Sequence, residues 1–323
     1  MMVEKAAVID MGTNTFHLLL VELADNGFRT LYKEKIPVKL GEGGISKELI
    51  LPEAKKRAFH TLTHFSNLIK GEQIDRVFAF ATSAVRNARN GHEFVADVRE
   101  RLGIDVNIID GNREAELIYK GIRLSGSLND ETSLMMDIGG GSVEFIIGNE
   151  SRIFWKQSFE IGGQRMLDLF HYHDPILPTE ISRLNEYLES KLETLCHAIA
   201  HFQPSRLVGA SGTFDTLTDM YRARIQEAKF RYQSTYSIPA ASFQQIAGQL
   251  IHLDRAERLQ IQGMIPMRVD MIVVASCLIQ FILGQVDTDL LHCSTYSLKE
   301  GAIAEILQNQ SGTKPLHYAR QAI

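Results

Sequence analysis

Apolar residues cluster along this chain in short, nearly unbroken runs: KAAVID at 5–10, FHLLLVEL at 16–23, RVFAFAT at 76–82, TSLMMDI at 132–138, VEFIIG at 143–148, SRLVGA at 205–210 and DLLHCS at 289–294. Runs of this length between turn-forming residues read as buried strands. RTLYKEKIPVKL (29–40), DVNIID (105–110) and SRIFWKQSFE (151–160) add weaker strands. Between them the apolar spacing switches to three and four, predicting helices over 52–71, 83–103 with a break near Asn90-Gly91, 112–122, 163–170, 178–202 and 298–310, with helix dominating 211–286. The first third therefore reads β-β-β-α-β-α-β-α. A polar stretch, SGSLNDE at 125–131, then separates it from a second series that again opens strand–turn–strand. The pattern predicts an α/β protein of two domains, 1–124 and 125–301. SGSLNDE is the expected hinge, about which the halves would close.

The two openings match in more than hydropathy. Asp10-Met11-Gly12-Thr13 answers Asp137-Ile138-Gly139-Gly140, an acid at the end of one strand followed by a glycine turn into the next. Glycines between antiparallel strands allow positive φ and let an anion approach backbone N–H groups, which makes a phosphate cradle. Gly12, Thr13, Asn14 and Thr15 would form one cradle; Gly139, Gly140, Gly141 and Ser142 the other. Asp10 and Asp137 are placed to hold a divalent cation directly or through water. A strand rather than a helix follows the triglycine, and no Gly-Lys-Ser/Thr occurs, so neither a dinucleotide fingerprint nor a Walker loop fits.

Composition narrows the class. The chain has 323 residues, 45% hydrophobic and 23% charged, with net charge −5, which disfavours duplex nucleic acid as a partner. Three cysteines without CxxC spacing, Cys196, Cys277 and Cys293, argue against a disulfide framework or a zinc site. The longest apolar run, 271–283, is too short to span a bilayer, and the first residues carry no signal-peptide pattern. A cytoplasmic protein without a membrane partner is expected. His60/His64 and His197/His201 lack the Glu of a metalloprotease motif and read as helix surface.

AAVIDMGTNTFHLLLVEL, ATSAVRNARNG, GNREAELIYKGI, MDIGGGSVEFIIG, LVGASGTFDTL and SLKEGAIAE occur in the order seen in the exopolyphosphatase/guanosine pentaphosphate phosphatase family, which the chain resembles from about residue 5 to 307. The resemblance implies two ribonuclease H-like domains of the actin and sugar-kinase type with a cleft between them, the first completed by the C-terminal helix, about 302–323. It also implies Mg²⁺-dependent removal of terminal phosphate from polyphosphate or of the 5′-phosphate from guanosine pentaphosphate, by in-line attack of water. Glu114 matches the family's general base. Asp137 matches a metal ligand, and Glu144 an acid that binds metal or orients the water. Arg86 and Arg268 match phosphate-binding arginines. Lys39, Arg89, Arg165 and Lys299 are weaker candidates for a path along a polyanion. Arg113, where the family often has an acid, would tune Glu114 or contact phosphate. Ser211 stands where glycine is usual in GASGTF, which weakens any nucleotide reading. The His-Asp phosphohydrolase domain of longer members is not expected.

Two other classes remain open at this point. One is a phosphotransferase of the sugar- or acyl-kinase kind on the same fold, and the other is a non-catalytic alarmone-binding protein. The choice between polyphosphate and guanosine pentaphosphate, and whether the protein is a homodimer, are not readable from the residues.

Overall fold

The structure is a computed structural model that describes residues 4–24, 27–227 and 233–310. The chain divides into two compact units, one formed by the residues up to Leu124 together with those from Leu298 onward, the other by Ser125–Ser297.

The first unit opens with β1 (Lys5–Met11), β2 (Thr15–Ala24) and β3 (Gly27–Pro37). It continues through α1 (Pro52–Gly71), β4 (Val77–Ala81), α2 (Ser83–Arg86), α3 (Gly91–Leu102), β5 (Val106–Ile108) and α4 (Gly111–Leu124). The strand order is β3-β2-β1-β4-β5. The first three strands are antiparallel neighbours, and β1, β4 and β5 run parallel. Central β1 is buried on both faces at Ala6–Ile9, as a sheet flanked by helices requires. Pro52 starts α1, its fixed φ suiting a first helical position, and Ala54, Ala58, Leu62, Phe65 and Ile69 form the stripe that packs on the sheet. The break between α2 and α3 falls where the sequence puts it. Asn90 leaves the helix there and exchanges two 2.9 Å hydrogen bonds with the backbone of Ile50.

The second unit repeats the scheme with β6 (Ser133–Ile138), β7 (Val143–Gly148), β8 (Ile153–Phe159), α5 (Gly163–Phe170), α6 (Pro178–Lys191), α7 (Glu193–Phe202), β9 (Arg206–Ala210), α8 (Ser211–Arg224), β10 (Thr235–Pro239), α9 (Ala240–His252), α10 (Arg255–Leu259), α11 (Met271–Leu283) and β11 (Leu290–Ser294). Its sheet order is β10-β11-β9-β6-β7-β8. From β8 inward, two antiparallel pairs are followed by parallel β6, β9 and β11, the order and sense of the first sheet. Each unit is thus a ribonuclease H-like α/β sheet. The last described element, α12 (Leu298–Gln310), packs in the first unit against α4. There a Cβ on Gly301 would lie 1.7 Å from the Leu117 carbonyl oxygen, so only glycine permits this crossing. The part of the expected closing helix beyond 310 lies outside the described residues.

Several sequence expectations need correction. The run 178–202 is two helices, because the fully buried Leu192 leaves helical geometry at φ −102°, ψ 14° and re-aims Leu195, Ala198 and Ile199 into the core. The stretch read as helical contains the strand β10, with Tyr236 and Ile238 buried; Pro239 is tolerated because the strand lies at the sheet edge. SGSLNDE is not a loose polar linker. Leu128 is buried, the Ser125 and Ser127 hydroxyls share a 2.7 Å bond, Ser234 donates to the Ser125 carbonyl at 2.8 Å, and Arg206 donates to Asn129 at 2.5 Å. Among the described residues no helix is long and apolar enough to cross a membrane.

Candidate active site

The two glycine turns are built alike. In the first, the Gly12 N–H donates to the Thr15 carbonyl at 3.1 Å between the paired Met11 and Phe16. In the second, the Gly139 N–H donates to the Ser142 carbonyl at 3.0 Å between the paired Ile138 and Val143. A Cβ would come within 3.0 Å of Thr15 O at Gly12 and 2.9 Å of Ser142 O at Gly139. The expectation of positive φ is wrong for these turns: among the described residues the glycines with positive φ are Gly27, Gly43, Gly103, Gly126 and Gly263. The turns need glycine because backbone approaches backbone. The triglycine is also pressed from outside, since a Cβ on Gly162 would fall 2.4 Å from the carbonyl carbons of Gly140 and Gly141.

Backbone donors from α5 hold that turn in place. Gly162 N–H donates to Gly141 O at 3.1 Å, Gly163 N–H to Gly139 O at 2.8 Å and Gln164 N–H to Gly140 O at 2.9 Å. Arg165, read from sequence as a weak polyanion ligand, spends its Nε–H on Gly141 O at 2.9 Å and pairs with Glu160. The turn's carbonyls are thus taken up by the protein. In the first unit Thr13 and Thr15 are buried, and the Thr13 carbonyl accepts from Gly41 N–H at 3.0 Å.

The acids behind the turns differ. Asp10 faces His17 across β1–β2, and Asp137 faces Glu144 across β6–β7. Directly opposed residues share a face of the sheet, so Asp137 and Glu144 form a carboxylate pair. The Ser297 hydroxyl donates to Asp137, and the Ser158 hydroxyl donates to Glu144 at 2.7 Å. Glu144 is only 1% exposed, Asp137 6%. Arg268 lies by Asp137 and Asp215, over Gly212, whose missing Cβ makes room for its guanidinium. Burial draws the Arg268 pKa below its usual range against the pull of both aspartates, and its buried Nε finds no hydrogen-bond partner. Ser211, next to Gly212, holds φ +68°, a left-handed geometry that explains why glycine suits the position.

Glu114 sits in the first turn of α4, whose start is capped by Asp110 Oδ1 accepting from Arg113 N–H at 2.7 Å. It is buried, and Arg86 Nη1 donates to its Oε2 at 2.8 Å and to the Ile109 carbonyl at 3.1 Å. Arg113 is not its partner, contrary to one expectation. Arg113 pairs with Glu305 and, at 3.5 Å, Glu116, while Lys120 also pairs with Glu305. Burial alone would raise the Glu305 pKa, but these two cations hold it below the usual carboxylate range. Lys39 pairs with Glu42, Arg89 donates to the Lys47 carbonyl, and Lys299 pairs with Glu300.

A sequence model described as the Ppx/GppA phosphatase family matches residues 19–310. The chain belongs to this family. It is 45% identical to an exopolyphosphatase from Cytophaga hutchinsonii of known crystal structure, over 95% of this chain and 98% of that one, with a TM-score of 0.92. The Aquifex aeolicus member of the Ppx/GppA family shares the fold at 21% identity, with a TM-score of 0.81 over 97% of this chain and 100% of that one. A guanosine-5′-triphosphate,3′-diphosphate pyrophosphatase of Aeromonas salmonicida is 26% identical over 303 residues, 94% of this chain, which spans 59% of that relative's length. The six ordered motifs thus pointed to the right family, and a phosphatase-family enzyme replaces the broader classes weighed on sequence.

Two histidines of the second unit give the fold a pH dependence. Burial, aided by the Arg258 charge, lowers the pKa of His171, and burial, aided by Arg206, lowers that of His292. Both bind protons less readily folded than unfolded, so their contribution is complete above the unfolded value of about 6.5 and is lost as pH falls through the lower folded values. Thermal unfolding should show a melting temperature that declines from pH 7 to pH 5. His171→Asn should flatten part of that decline; an unaltered profile would remove His171 from the account.

Proposed function

We propose that this protein is a divalent-cation-dependent phosphoanhydride hydrolase that releases terminal phosphate from inorganic polyphosphate, from guanosine pentaphosphate, or from both. The observation that carries the reading is the twinned turn: two hairpins with the same closing hydrogen bond, the same glycine close approach and an acid one residue before the glycine turn's neighbour on the first strand. The 45% identity to an exopolyphosphatase favours polyphosphate. The Aeromonas relative's name brings in guanosine pentaphosphate.

Each residue then has a task. The Gly12–Thr15 and Gly139–Ser142 turns bind phosphoryl oxygens through N–H and hydroxyl donors, and Arg268 neutralises charge beside Asp137. Glu114 takes the proton of the attacking water, and Arg86 fixes its carboxylate in one orientation. A phosphoanhydride reaction needs little covalent help from protein, so positioning and charge carry the catalysis. The donor set suits Mg²⁺: among the described residues no three His, Cys, Asp or Glu side chains gather into a closed cage, and Mg²⁺ is usually held by one or two carboxylates plus waters and substrate phosphates. In the second unit Asp137 is the acid to offer, with the more deeply buried Glu144 opposite it on the sheet; Asp10 is the corresponding acid of the first unit's turn. Bound there, the cation would neutralise charge on the leaving phosphate.

Phosphate release from tripolyphosphate and from guanosine pentaphosphate, with water as sole acceptor, tests the reading. Release with at least one of them, only when Mg²⁺ is present, is expected. Release that needs a sugar or acyl acceptor would make the protein a phosphotransferase. Asp137→Asn should shift the Mg²⁺ titration to higher concentration and slow hydrolysis by roughly tenfold or more, as loss of a charge-stabilising group does. An unchanged titration midpoint would leave Asp137 a structural residue bonded to Ser297.

A further inference from the structure

Arg258, in α10, is 1% exposed and carries no role in the reading above. Its Nε–H donates to the Val269 carbonyl at 3.1 Å, and its Nη1 donates to the Leu253 carbonyl at 2.5 Å and to Asp174 Oδ1 at 2.7 Å. Asp174 Oδ2 accepts from Arg255 N–H at 2.7 Å, and His171 Nε2 lies 3.6 Å from Oδ1. Burial alone would raise the Asp174 pKa, but Arg258 and the Arg255 N–H together outweigh it and hold the acid below the usual carboxylate range. One guanidinium therefore joins the segment after α5, the α9–α10 connection and the loop leading to α11.

Both ends of this junction lead to groups already assigned to phosphate. Val269 is the neighbour of Arg268, whose backbone N–H is bonded to Ile265 O at 3.0 Å. In the other direction Asp174 follows α5, the eight-residue helix whose opposite end donates to Gly139 and Gly140 and carries Arg165 against Gly141. An apolar contact would hold these segments together without fixing their angle, because hydrophobic burial is non-directional. A planar guanidinium sets both distance and direction at each acceptor, which a lysine ammonium does not.

We propose that Asp174 and Arg258 are positioning residues for phosphate binding: the ion pair of the buried guanidinium with the more exposed carboxylate sets the place of Arg268 relative to the triglycine turn, through Val269 on one side and α5 on the other. Neither touches ligand, and the inference rests on the reading of Arg268 and the turn as phosphate ligands.

The test uses the full chain, tripolyphosphate with Mg²⁺, and four variants: Asp174→Asn, Arg258→Lys, Arg268→Gln and the double variant Asp174→Asn/Arg268→Gln. Arg268→Gln should raise KM roughly tenfold or more, the loss of a charge-assisted contact. Asp174→Asn should raise KM about fivefold or more with kcat within about threefold, the signature of lost binding rather than lost chemistry. Arg258→Lys should act in the same sense; should it fail to fold, the near-isosteric Asp174→Asn carries the test alone. In the double variant Asp174→Asn should add less than about twofold, because residues acting through one another are not additive. A purely architectural pair would lower the melting temperature and leave KM alone. That outcome, or full additivity, with Arg268→Gln still weakening binding, overturns the inference and spares the functional reading. Wild-type KM in Arg268→Gln overturns the reading of Arg268 and this inference with it.

Discussion

Glu114→Gln is expected to lower phosphate release by about two to four orders of magnitude, the scale of a lost general base. Glutamine keeps the shape of the side chain and an oxygen that can still accept from Arg86 Nη1, now 2.8 Å from Oε2, so the first turn of α4 should stand. What it loses is the capacity to take a proton. Tripolyphosphate binding measured by calorimetry should stay within about threefold of the wild type, which separates binding from turnover. A folded variant that turns over near the normal rate would remove Glu114 from the chemistry. Its burial and its pairing with Arg86 would then be those of a structural ion pair, in which breaking one partner costs stability rather than rate.

The second large effect is expected at a glycine that contacts no ligand in the proposed mechanism. In Gly162→Ala the new methyl would lie 2.4 Å from two carbonyl carbons of the triglycine and 2.5 Å from Gly140 O. All three are backbone atoms, so no side chain can swing aside and the turn itself must move. Overpacking of this kind costs about 1–3 kcal/mol. In a chain of this size that is a fall in melting temperature of roughly 1–5 °C. The larger effect should be on rate: displacing a binding group by about 1 Å can cost on the order of 100-fold. Calorimetric melting and steady-state phosphate release check the two parts separately. Gly71→Ala is the control, since a Cβ at that helix end meets nothing within 4 Å. If Gly162→Ala matched this control in rate, the triglycine turn would not need its present position.

What could be read in the sequence was what short range determines. Asp-x-Gly turns between apolar runs announced the twinned hairpins and a second half opening as the first does; that the two sheets share one strand order came from the structure. Glycine's reason was misread there, because sequence shows that a Cβ is missing and not what would have collided with it. At Gly12 and Gly139 that is the turn's own carbonyl; at Gly162 it is a turn some twenty residues back. The pair IGGQ was the available signal for Gly162, and it read only as a helix beginning. Partner choice was equally hidden. Arg113 stands beside Glu114 in sequence but bonds Glu305, 192 positions on, while Glu114 takes Arg86 from α2. SGSLNDE looked flexible because Ser125 has no evident partners until Ser234 donates to its carbonyl and Ser294 to its hydroxyl. Arg258 gave no signal, since an arginine in a short charged helix looks like solvent-facing charge until its three acceptors converge.

The crossing of α12 over α4 has a consequence for how the chain is made. Gly301 against Leu117, and Glu305 between Arg113 and Lys120, seat in the first unit a helix encoded after the whole of the second. During synthesis the second unit, contiguous from Ser125 to Ser297, has all its strands outside the ribosome before that helix has left it. The half that begins the chain is therefore finished last. Until then α4, with Glu114 at its start, lacks the cover that α12 gives it around Leu117 and Gly121, so the helix of the proposed base is completed only after the whole second unit has been made.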